Sequence, residues 1–316
     1  LFNIIYDISE LSGLAVVEKS ICVGKERLLA SGFRDYSLDK WLSKMQSNGY
    51  TCVVYSQDNN CKNTSRSLTG IYTPGTYIQC DSEYSKKNNN NTCIWIEKIR
   101  NRICVGISNI DIISGKSNLY EYNIEYKEVP NIYDDIERYI SVYDPCEIII
   151  ISNLSISLIQ SIIHYTNMSS SHINVVDLND KNDDKTLMAK KCEEQKYVNL
   201  LLVKFFNIND INLYIESLKY NETALQSYCY LLNYLNKLNP LLIDTLSQPI
   251  VENLTDRLLL ANHSSKQLNI IGEGNNKYSS VLNLTNNTIT SIGKRYYREI
   301  LLNPITNPVK LNKYYN

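Results

Sequence analysis

Apolar side chains recur every three or four positions in two stretches near the start of the chain. The first stretch covers residues 1–14, and the second follows Asp35 and Ser37, either of which can cap a helix. Gly13 and the pair Asn48-Gly49 mark the ends. The spacing predicts two amphipathic helices, with apolar faces formed by Ile4, Ile5, Ile8, Leu11 and Leu14 in the first and by Leu38, Trp41, Leu42 and Met45 in the second.

Beta-prone runs follow the second helix. Residues 50–55 and 66–72 read as strands, with a polar loop between them, and the second run ends at Thr73-Pro74-Gly75. Pro-Gly is a strong turn signal. The order of helix, strand, loop and strand predicts a small mixed α/β unit.

A low-complexity polar stretch, DSEYSKKNNNNT at 81–92, predicts a solvated linker. Beyond it the pattern predicts three strands, then helix, strand, helix and strand, which is the element order of an RNase H-like sheet. The predicted strands are 93–99, 103–110, 117–126, 146–152 and 172–178, and the first of the helices is 131–143. The run at 146–152 is almost continuously apolar, as in a strand buried on both faces.

Strand signals mostly vanish after residue 193, where 200–206 and 224–238 have helical spacing. We therefore predict a multidomain α/β plus α protein. Its regions are a small mixed α/β domain at 1–80, an RNase H-like α/β domain at 92–180 and a mainly helical region at 193–316.

Bulk composition is that of a globular chain, with 316 residues, 43% hydrophobic residues and a formal net charge of −1. Nine widely spaced cysteines without a CxxC pair favour reduced thiols, so we expect an intracellular protein. The sequence lacks an apolar run of membrane-spanning length. A near-neutral chain has no global attraction for nucleic acid, but a few placed cations suffice for phosphate contacts.

The sequence contains few motifs or residues that could carry catalysis. There is no GxxxxGK[ST] phosphate cradle. An RNase H-like sheet raises the alternative of a two-metal nuclease, for which Asp111 and Glu97 are the available carboxylates. We favour a turn role for Asp111 and expect no metal site and no catalytic residue in this chain.

Basic residues near the start of the chain are candidates for contact with a DNA backbone. They are Lys19, Lys25, Arg27, Arg34, Lys62 and Arg66.

The order of these segments resembles the MutS family of DNA mismatch repair proteins. The family's small-residue turn, amphipathic helix, Gly-Tyr step, Gln with an acidic neighbour, and TPGT have counterparts in order. They are Ala30-Ser31-Gly32-Phe33, Leu38 to Met45, Gly49-Tyr50, Gln57-Asp58 and Thr73 to Thr76.

The resemblance continues through the rest of the chain. ICVGISNIDIISGKSNLYEYN and IERYISVYDPCEIIIISN resemble the family's connector domain. The stretch after Leu268 resembles the start of its core domain, where Thr288, Thr290, Gly293, Arg295, Leu301, Leu302 and Pro304 match. The Asn-rich loops suggest a giant-virus or organelle-type branch.

This resemblance implies a mismatch-binding domain at 1–80 that lies on duplex DNA, with Ser31, Gly32 and Phe33 added to the candidate DNA contacts. It further implies that the full-length protein is a homodimer that binds and hydrolyses ATP with Mg²⁺, and that its connector contacts a MutL-type partner. The chain itself is expected to hold no cofactor. The family probes mismatches with a Phe-x-Glu motif, which Phe2-Asn3-Ile4 does not supply, so we expect that motif upstream of Leu1.

Two other functions stay open at this stage. A metal-dependent nuclease or resolvase would cleave DNA in a Mg²⁺-dependent reaction that is lost on substitution of Asp111. A non-enzymatic scaffold, whose sheet and helices only bind protein, would show no difference between matched and mismatched duplexes.

Overall fold

The computed structural model divides into two compact units, Leu1–Gln79 and Cys80–Asn316. It describes residues 2–23, 26–46, 48–57, 66–76, 89–168, 172–206, 208, 210–252, 257–258, 264–272 and 276–315. Within these residues no helix is long and apolar enough to cross a membrane.

Among its described residues, the first unit has two α-helices and two antiparallel hairpins. Helix α1 (Phe2–Ser12) precedes strands β1 (Val16–Val23) and β2 (Glu26–Ser31), which pair with each other. A 3₁₀ turn at Asp35–Ser37 leads into α2 (Leu38–Gln46), and β3 (Cys52–Gln57) pairs with β4 (Arg66–Tyr72). Both predicted helices and both predicted strands are confirmed, whereas the β1–β2 hairpin was not predicted.

Two glycines end the helices of this unit, as the sequence predicts. Gly13 has φ +72° and Gly49 has φ +83°, in the left-handed region that favours glycine after a helix. Gly13 N donates to Ser9 O at 2.7 Å, and Gly49 N donates to Gln46 O at 2.9 Å. These bonds satisfy carbonyl groups that each helix end would otherwise leave open.

The TPGT segment closes on itself directly after β4. Thr76 N donates to Thr73 O at 3.1 Å, and Thr73 N donates to Thr76 Oγ1 at 2.8 Å. Both threonines are buried. The reciprocal bonds satisfy buried polar groups, so the segment is a packed turn.

A six-stranded mixed sheet forms the centre of the second unit. Its strands are β5 (Asn90–Ile99), β6 (Arg102–Asp111), β7 (Lys116–Glu125), β8 (Glu147–Ser152), β9 (Ile173–Asp177) and β10 (Ile250–Val251). They lie in the order β10-β7-β6-β5-β8-β9. Strands β5, β6 and β7 pair antiparallel, with β6 in the middle. Strand β8 pairs parallel with the other edge of β5, and β9 pairs parallel with β8. The predicted order of elements along the chain, three strands followed by helix, strand, helix and strand, is confirmed, whereas β10 was not predicted.

The predicted linker at 81–92 is wrong at its end, because Asn90 to Thr92 are buried residues of β5. Their polarity is compensated by hydrogen bonds. Thr92 Oγ1 donates to Asn109 Oδ1 at 2.9 Å, and Asn109 Nδ2 donates to Asn90 Oδ1 at 2.9 Å. Polar side chains can be buried in a strand when hydrogen bonds pair them in this way. The polarity of residues 90–92 was therefore not evidence for a linker.

Helices cover both faces of the sheet. One face carries α3 (Asp134–Tyr143) and α4 (Ile156–Tyr165), and the other carries α5 (Asp184–Glu193), α6 (Gln195–Phe206) and α8 (Glu222–Leu238). Alternation along β5 separates the two cores, because Ile94 and Ile96 pack with the first set and Cys93 and Trp95 with the second. Short helix α7 (Ile211–Ser217) joins α6 to α8.

Helix α8 belongs to the region predicted to be a separate helical domain, yet it packs directly on the sheet. Tyr228, Leu231, Leu232 and Leu235 are fully buried against β5 and β6. The chain from 80 onward is thus one compact unit in this structure. The division into domains at 92–180 and 193–316 stays a prediction.

The described residues from 264 onward contain four helices. They are α9 (Ser264–Gln267), α10 (Val281–Thr285), α11 (Ser291–Leu302) and α12 (Pro308–Tyr315). Thr290 caps α11, since its Oγ1 accepts from Gly293 N at 3.1 Å. Two residues of the TxTxxGxR pattern therefore have a local structural role.

Candidate nucleic-acid interface

Two candidate cations lie on the β1–β2 hairpin. Lys19 is exposed on β1, and Arg27 is exposed on β2. Arg27 Nη1 lies 3.6 Å from Glu18 Oε2, and both side chains are more than half exposed. An exposed ion pair of this kind contributes little to stability, so exchange of the carboxylate for a phosphate would cost little.

The connection from β2 to α2 carries Ser31, Gly32 and Phe33. Ser31 is the last residue of β2, Gly32 is exposed, and the Phe33 ring is 46% exposed. Added bulk at Gly32 would meet nothing within 4 Å, so this backbone is open to a ligand. The Phe33 ring lies 6.0 Å from the Trp41 ring, centroid to centroid, at an interplanar angle of 42°.

Helix α2 adds a group of residues that the candidate list did not contain. Leu42 and Met45 are buried, while Lys40 and Lys44 are exposed on either side of Trp41. The Lys40 and Lys44 ammonium groups lie 5.3 Å and 5.8 Å from the Trp41 ring centroid. This is the range of cation–π contact, which holds two cations beside one aromatic ring.

We call Phe33, Tyr36, Lys40, Trp41 and Lys44 the aromatic–basic face. Tyr36 precedes α2 and is 81% exposed. Lysine ammonium groups can donate to phosphate oxygens, and exposed aromatic rings can pack against bases or sugars. The sequence signal for this face was the KWLSK run, in which Lys40 and Lys44 are one helical turn apart.

The other candidate cations are scattered. Arg66 is exposed at the first position of β4, where it pairs with Gln57, and Arg34 is exposed before the 3₁₀ turn. Lys25 and Lys62 lie outside the described residues. Residues 1–79 contain eight basic and seven acidic residues, so any attraction for DNA must be local.

The carboxylates of the nuclease hypothesis do not meet. Asp111 pairs with Asn90 at one end of β5, whereas Glu97 lies seven residues further along that strand, about 23 Å away at the usual rise per residue. Two-metal catalysis needs carboxylates that hold ions roughly 4 Å apart. Within the described residues no group of three or more His, Cys, Asp or Glu side chains could hold a metal ion.

Asp111 has a local role instead, as predicted. Its Oδ1 accepts from Ile113 N at 3.1 Å, and its Oδ2 accepts from Ser114 Oγ at 2.6 Å. These bonds hold the turn between β6 and β7. The neighbouring Gly115, at φ +69°, completes that turn. Glu97 Oε1 accepts from Trp95 Nε1 at 2.9 Å.

The fold defines a class: a mixed α/β protein of two compact units, the larger of which is built on a six-stranded mixed sheet. No protein-family model matches the chain. Individual proteins do. A protein of Acanthamoeba polyphaga mimivirus named as a putative DNA mismatch repair protein mutS homologue is 28% identical in an alignment of length 305 that covers 87% of this chain and 26% of that protein.

Bacterial proteins named DNA mismatch repair protein MutS match with similar coverage. The one from Prochlorococcus marinus strain MIT 9312 is 26% identical over 98% of this chain and 33% of its own length. That of Fusobacterium nucleatum is 24% identical over 95% of this chain and 31% of its own length. The resemblance to the MutS family is thereby confirmed, and a giant-virus protein is among the relatives. The chain spans about a quarter to a third of the length of these curated relatives.

Proposed function

We propose that this chain serves DNA mismatch repair as the DNA-facing and connecting part of a mismatch-recognition protein. The observation that carries the proposal is the similarity to proteins named MutS over 87% to 98% of the chain. The confirmed order of elements in both units supports it, because the segments that carry the resemblance fall on regular helices, strands and turns.

In this proposal the first unit contacts duplex DNA. Lys40 and Lys44, together with Lys19, Arg27 and Arg66, donate to backbone phosphates, which positions the protein without reading sequence. The sugar and base edges meet Phe33 and the open backbone of Ser31 and Gly32. Lys25 and Lys62 are proposed as further phosphate contacts.

Selection of mismatches requires a further element. A wedge that unstacks a base step costs less energy at a mispair than at a matched pair, and a Phe-x-Glu motif can supply both the wedge and a hydrogen-bond acceptor. Phe2-Asn3-Ile4 lacks the glutamate. The chain alone is therefore proposed to bind matched and mismatched duplexes with little preference. A Phe-x-Glu segment before Leu1 is proposed to confer the preference for mismatched duplexes.

The second unit is proposed to be an RNase H-like connector followed by the start of the core domain. Three antiparallel strands, followed by two parallel strands joined through helices, support that assignment. The full-length protein is proposed to act as a homodimer, to couple DNA binding to ATP and Mg²⁺ in a separate module, and to contact a MutL-type partner through the connector.

Fluorescence anisotropy with two labelled duplexes, identical except for one G·T mismatch, tests mismatch recognition. The chain is compared with a version that carries, before Leu1, a Phe-x-Glu segment from one of the matched MutS proteins. We expect equal affinities for the chain and a preference of about tenfold, or 1.4 kcal/mol, for the extended version.

The control is the extended version with its Phe-x-Glu phenylalanine replaced by alanine, which should lose the preference. An extended version that binds both duplexes equally would contradict mismatch recognition. Absence of duplex binding in every version would favour the protein scaffold instead.

A further inference from the structure

A groove on the second unit lies between the β7–α3 connection and helix α4. Its volume is about 350 Å³. The lining is mostly aromatic and aliphatic, with Tyr126, Val129, Pro130 and Tyr133 on one side and Leu158, Ser161, Ile162 and Tyr165 on the other. Val129 is 48% exposed, so the groove opens to solvent at this residue.

Tyr133 at this groove has a hydroxyl group without a hydrogen-bond partner among the described residues. The side chain is only 5% exposed. Burial raises the pKa of Tyr133 to about 12, so the group stays a neutral O–H donor. Tyr165 is different, because its hydroxyl donates to Asp134 Oδ1. A buried donor without an acceptor is costly, and an acceptor delivered by a ligand would relieve that cost.

A basic hairpin tip borders the groove. Lys98, Arg100 and Arg102 lie within five residues at the β5–β6 turn, and all three are exposed. Lys98 Nζ lies 3.5 Å from the centroid of the Tyr126 ring, and Tyr126 N donates to Asn101 O at 2.8 Å, so the tip and the groove share Tyr126.

The three cations of this tip are not neutralised by described carboxylates. None of them forms an ion pair with a described residue, and Arg102 is held instead by Asn123, whose Oδ1 accepts from Arg102 Nε at 2.7 Å. Arg100 has φ +54°, in the left-handed region where glycine or asparagine would be less strained. The tip therefore places three exposed cations at one end of an apolar groove, where the Glu125 carboxylate is held by Asn101 Nδ2 at 3.1 Å.

We propose that the groove and the hairpin tip bind an extended, acidic, proline-containing peptide segment of a partner protein. Such a segment adopts polyproline II geometry, in which backbone carbonyls lack internal partners and proline rings pack between aromatic side chains. The prolines occupy the tyrosine-lined groove, a backbone carbonyl accepts from the Tyr133 hydroxyl, and acidic side chains face Lys98 and Arg100.

The same features argue against a nucleic-acid backbone as the occupant. The lining is formed mostly by aliphatic and aromatic side chains, and its two charged residues, Lys127 and Glu128, have opposite charges. A phosphate backbone along the groove would leave its charges facing apolar walls and the Glu128 carboxylate, whereas a proline-rich peptide presents apolar rings there.

The test selects binders to the whole chain from a displayed library of random twelve-residue peptides. We expect enriched sequences that combine proline with Asp or Glu. Labelled copies of these peptides are then titrated against variants. Ser161→Trp, which fills the groove from an exposed helical position, should abolish binding, while Gln160→Trp, exposed on the same helix but outside the groove lining, should not.

The positive charge of Arg100 and the hydroxyl donor of Tyr133 are tested separately. Arg100→Asn suits the left-handed backbone and should weaken binding by about tenfold, while Lys237→Asn, which removes an exposed cation from helix α8 on the opposite face of the sheet, should leave it unchanged. Tyr133→Phe should weaken binding without loss of thermal stability.

Three results would overturn the proposal. The first is a library without enrichment. The second is enriched peptides that bind the Ser161→Trp and Arg100→Asn variants as well as they bind the parent chain. The third is a lack of selected peptides together with an affinity for labelled duplex DNA that falls on Arg100→Asn. The last result would assign the tip to nucleic acid.

Discussion

Single residues set the contact between helix α8 and the sheet. Gly106 lies in the middle of β6, and a Cβ at this position would collide with the backbone of Thr223 and Ala224 at the start of α8. Beside it, Glu121 Oε2 on β7 accepts from Ala224 N at 2.9 Å, which caps an amide at the start of this helix. The close approach of α8 to β6 therefore depends on the absence of a side chain at Gly106 and on the Glu121 carboxylate.

Substitution of Gly106 tests this close approach. Gly106→Ala should destabilise the second unit by roughly 1–3 kcal/mol or more, because the backbone of α8 cannot yield as a flexible side chain would. Thermal denaturation measures the change. Gly32→Ala, at a site with open space around it, is the control and should be near neutral. Equal transition midpoints for the Gly106 variant and the parent chain would contradict the described packing.

The Glu121 carboxyl has a raised pKa because burial disfavours its charged form, although hydrogen bonds from Ala224 and Thr223 oppose the shift. A carboxyl group whose pKa is raised by folding stabilises the protein most below its ordinary value of 4.5, and this contribution is lost as the pH rises through the folded pKa.

Glu121→Gln keeps an acceptor and removes the charge. We therefore expect its thermal midpoint, relative to the parent chain, to increase as the pH is raised from about 4.5 to 7.5. Glu125→Gln, at an exposed position on the same strand, should show no such trend. A difference that stays constant with pH for the Glu121 variant would argue against this account.

At the scale of elements, the sequence predicted those with a clear period or a strong stop. Helix α2 buries one face and is followed by the stop at Gly49, strand β8 is buried throughout and has four consecutive isoleucines, and Thr73 to Thr76 form the expected turn. The β1–β2 hairpin escaped prediction because its side chains are mostly exposed on both faces and its register shifts between Glu18 and Cys22. Without a buried face there is no period of two to detect.

Long-range packing was also beyond sequence reasoning. The helical period of α8 was detected, but a helix that buries most of its circumference gives no signal about which surface covers it. The aromatic–basic face was missed for a related reason. Trp41 was assigned to the apolar face of α2, whereas the structure places it at the edge of that face between two lysines.

The cap of α11 gives a prediction at this scale. Thr290→Ala removes the oxygen that accepts from Gly293 N and should cost about 1 kcal/mol, which corresponds to roughly fivefold faster amide hydrogen exchange in the first turn of α11. Thr290→Ser retains the oxygen and should exchange almost as the parent chain does. Unchanged exchange in the alanine variant would show that the cap does not stabilise this helix end.

The whole molecule combines a small unit with a local aromatic and basic surface and a larger unit built on a mixed sheet. A near-neutral first unit cannot attract DNA at long range, so the proposed affinity for DNA requires a few placed cations. The candidate cations of the β1–β2 hairpin were predictable as residue types. Their grouping with Trp41 was not, because it depends on how helix α2 exposes one edge.

The salt dependence of duplex DNA binding tests the central claim most directly. Fluorescence anisotropy titrations over a range of salt concentrations compare the parent chain with Lys40→Gln/Lys44→Gln and with the control Lys181→Gln/Lys185→Gln, which removes the same charge from the second unit. The account predicts that only the first variant binds more weakly and that its slope of log affinity against log salt falls by about 2. Equal slopes for all three proteins would contradict the assignment of the aromatic–basic face to DNA.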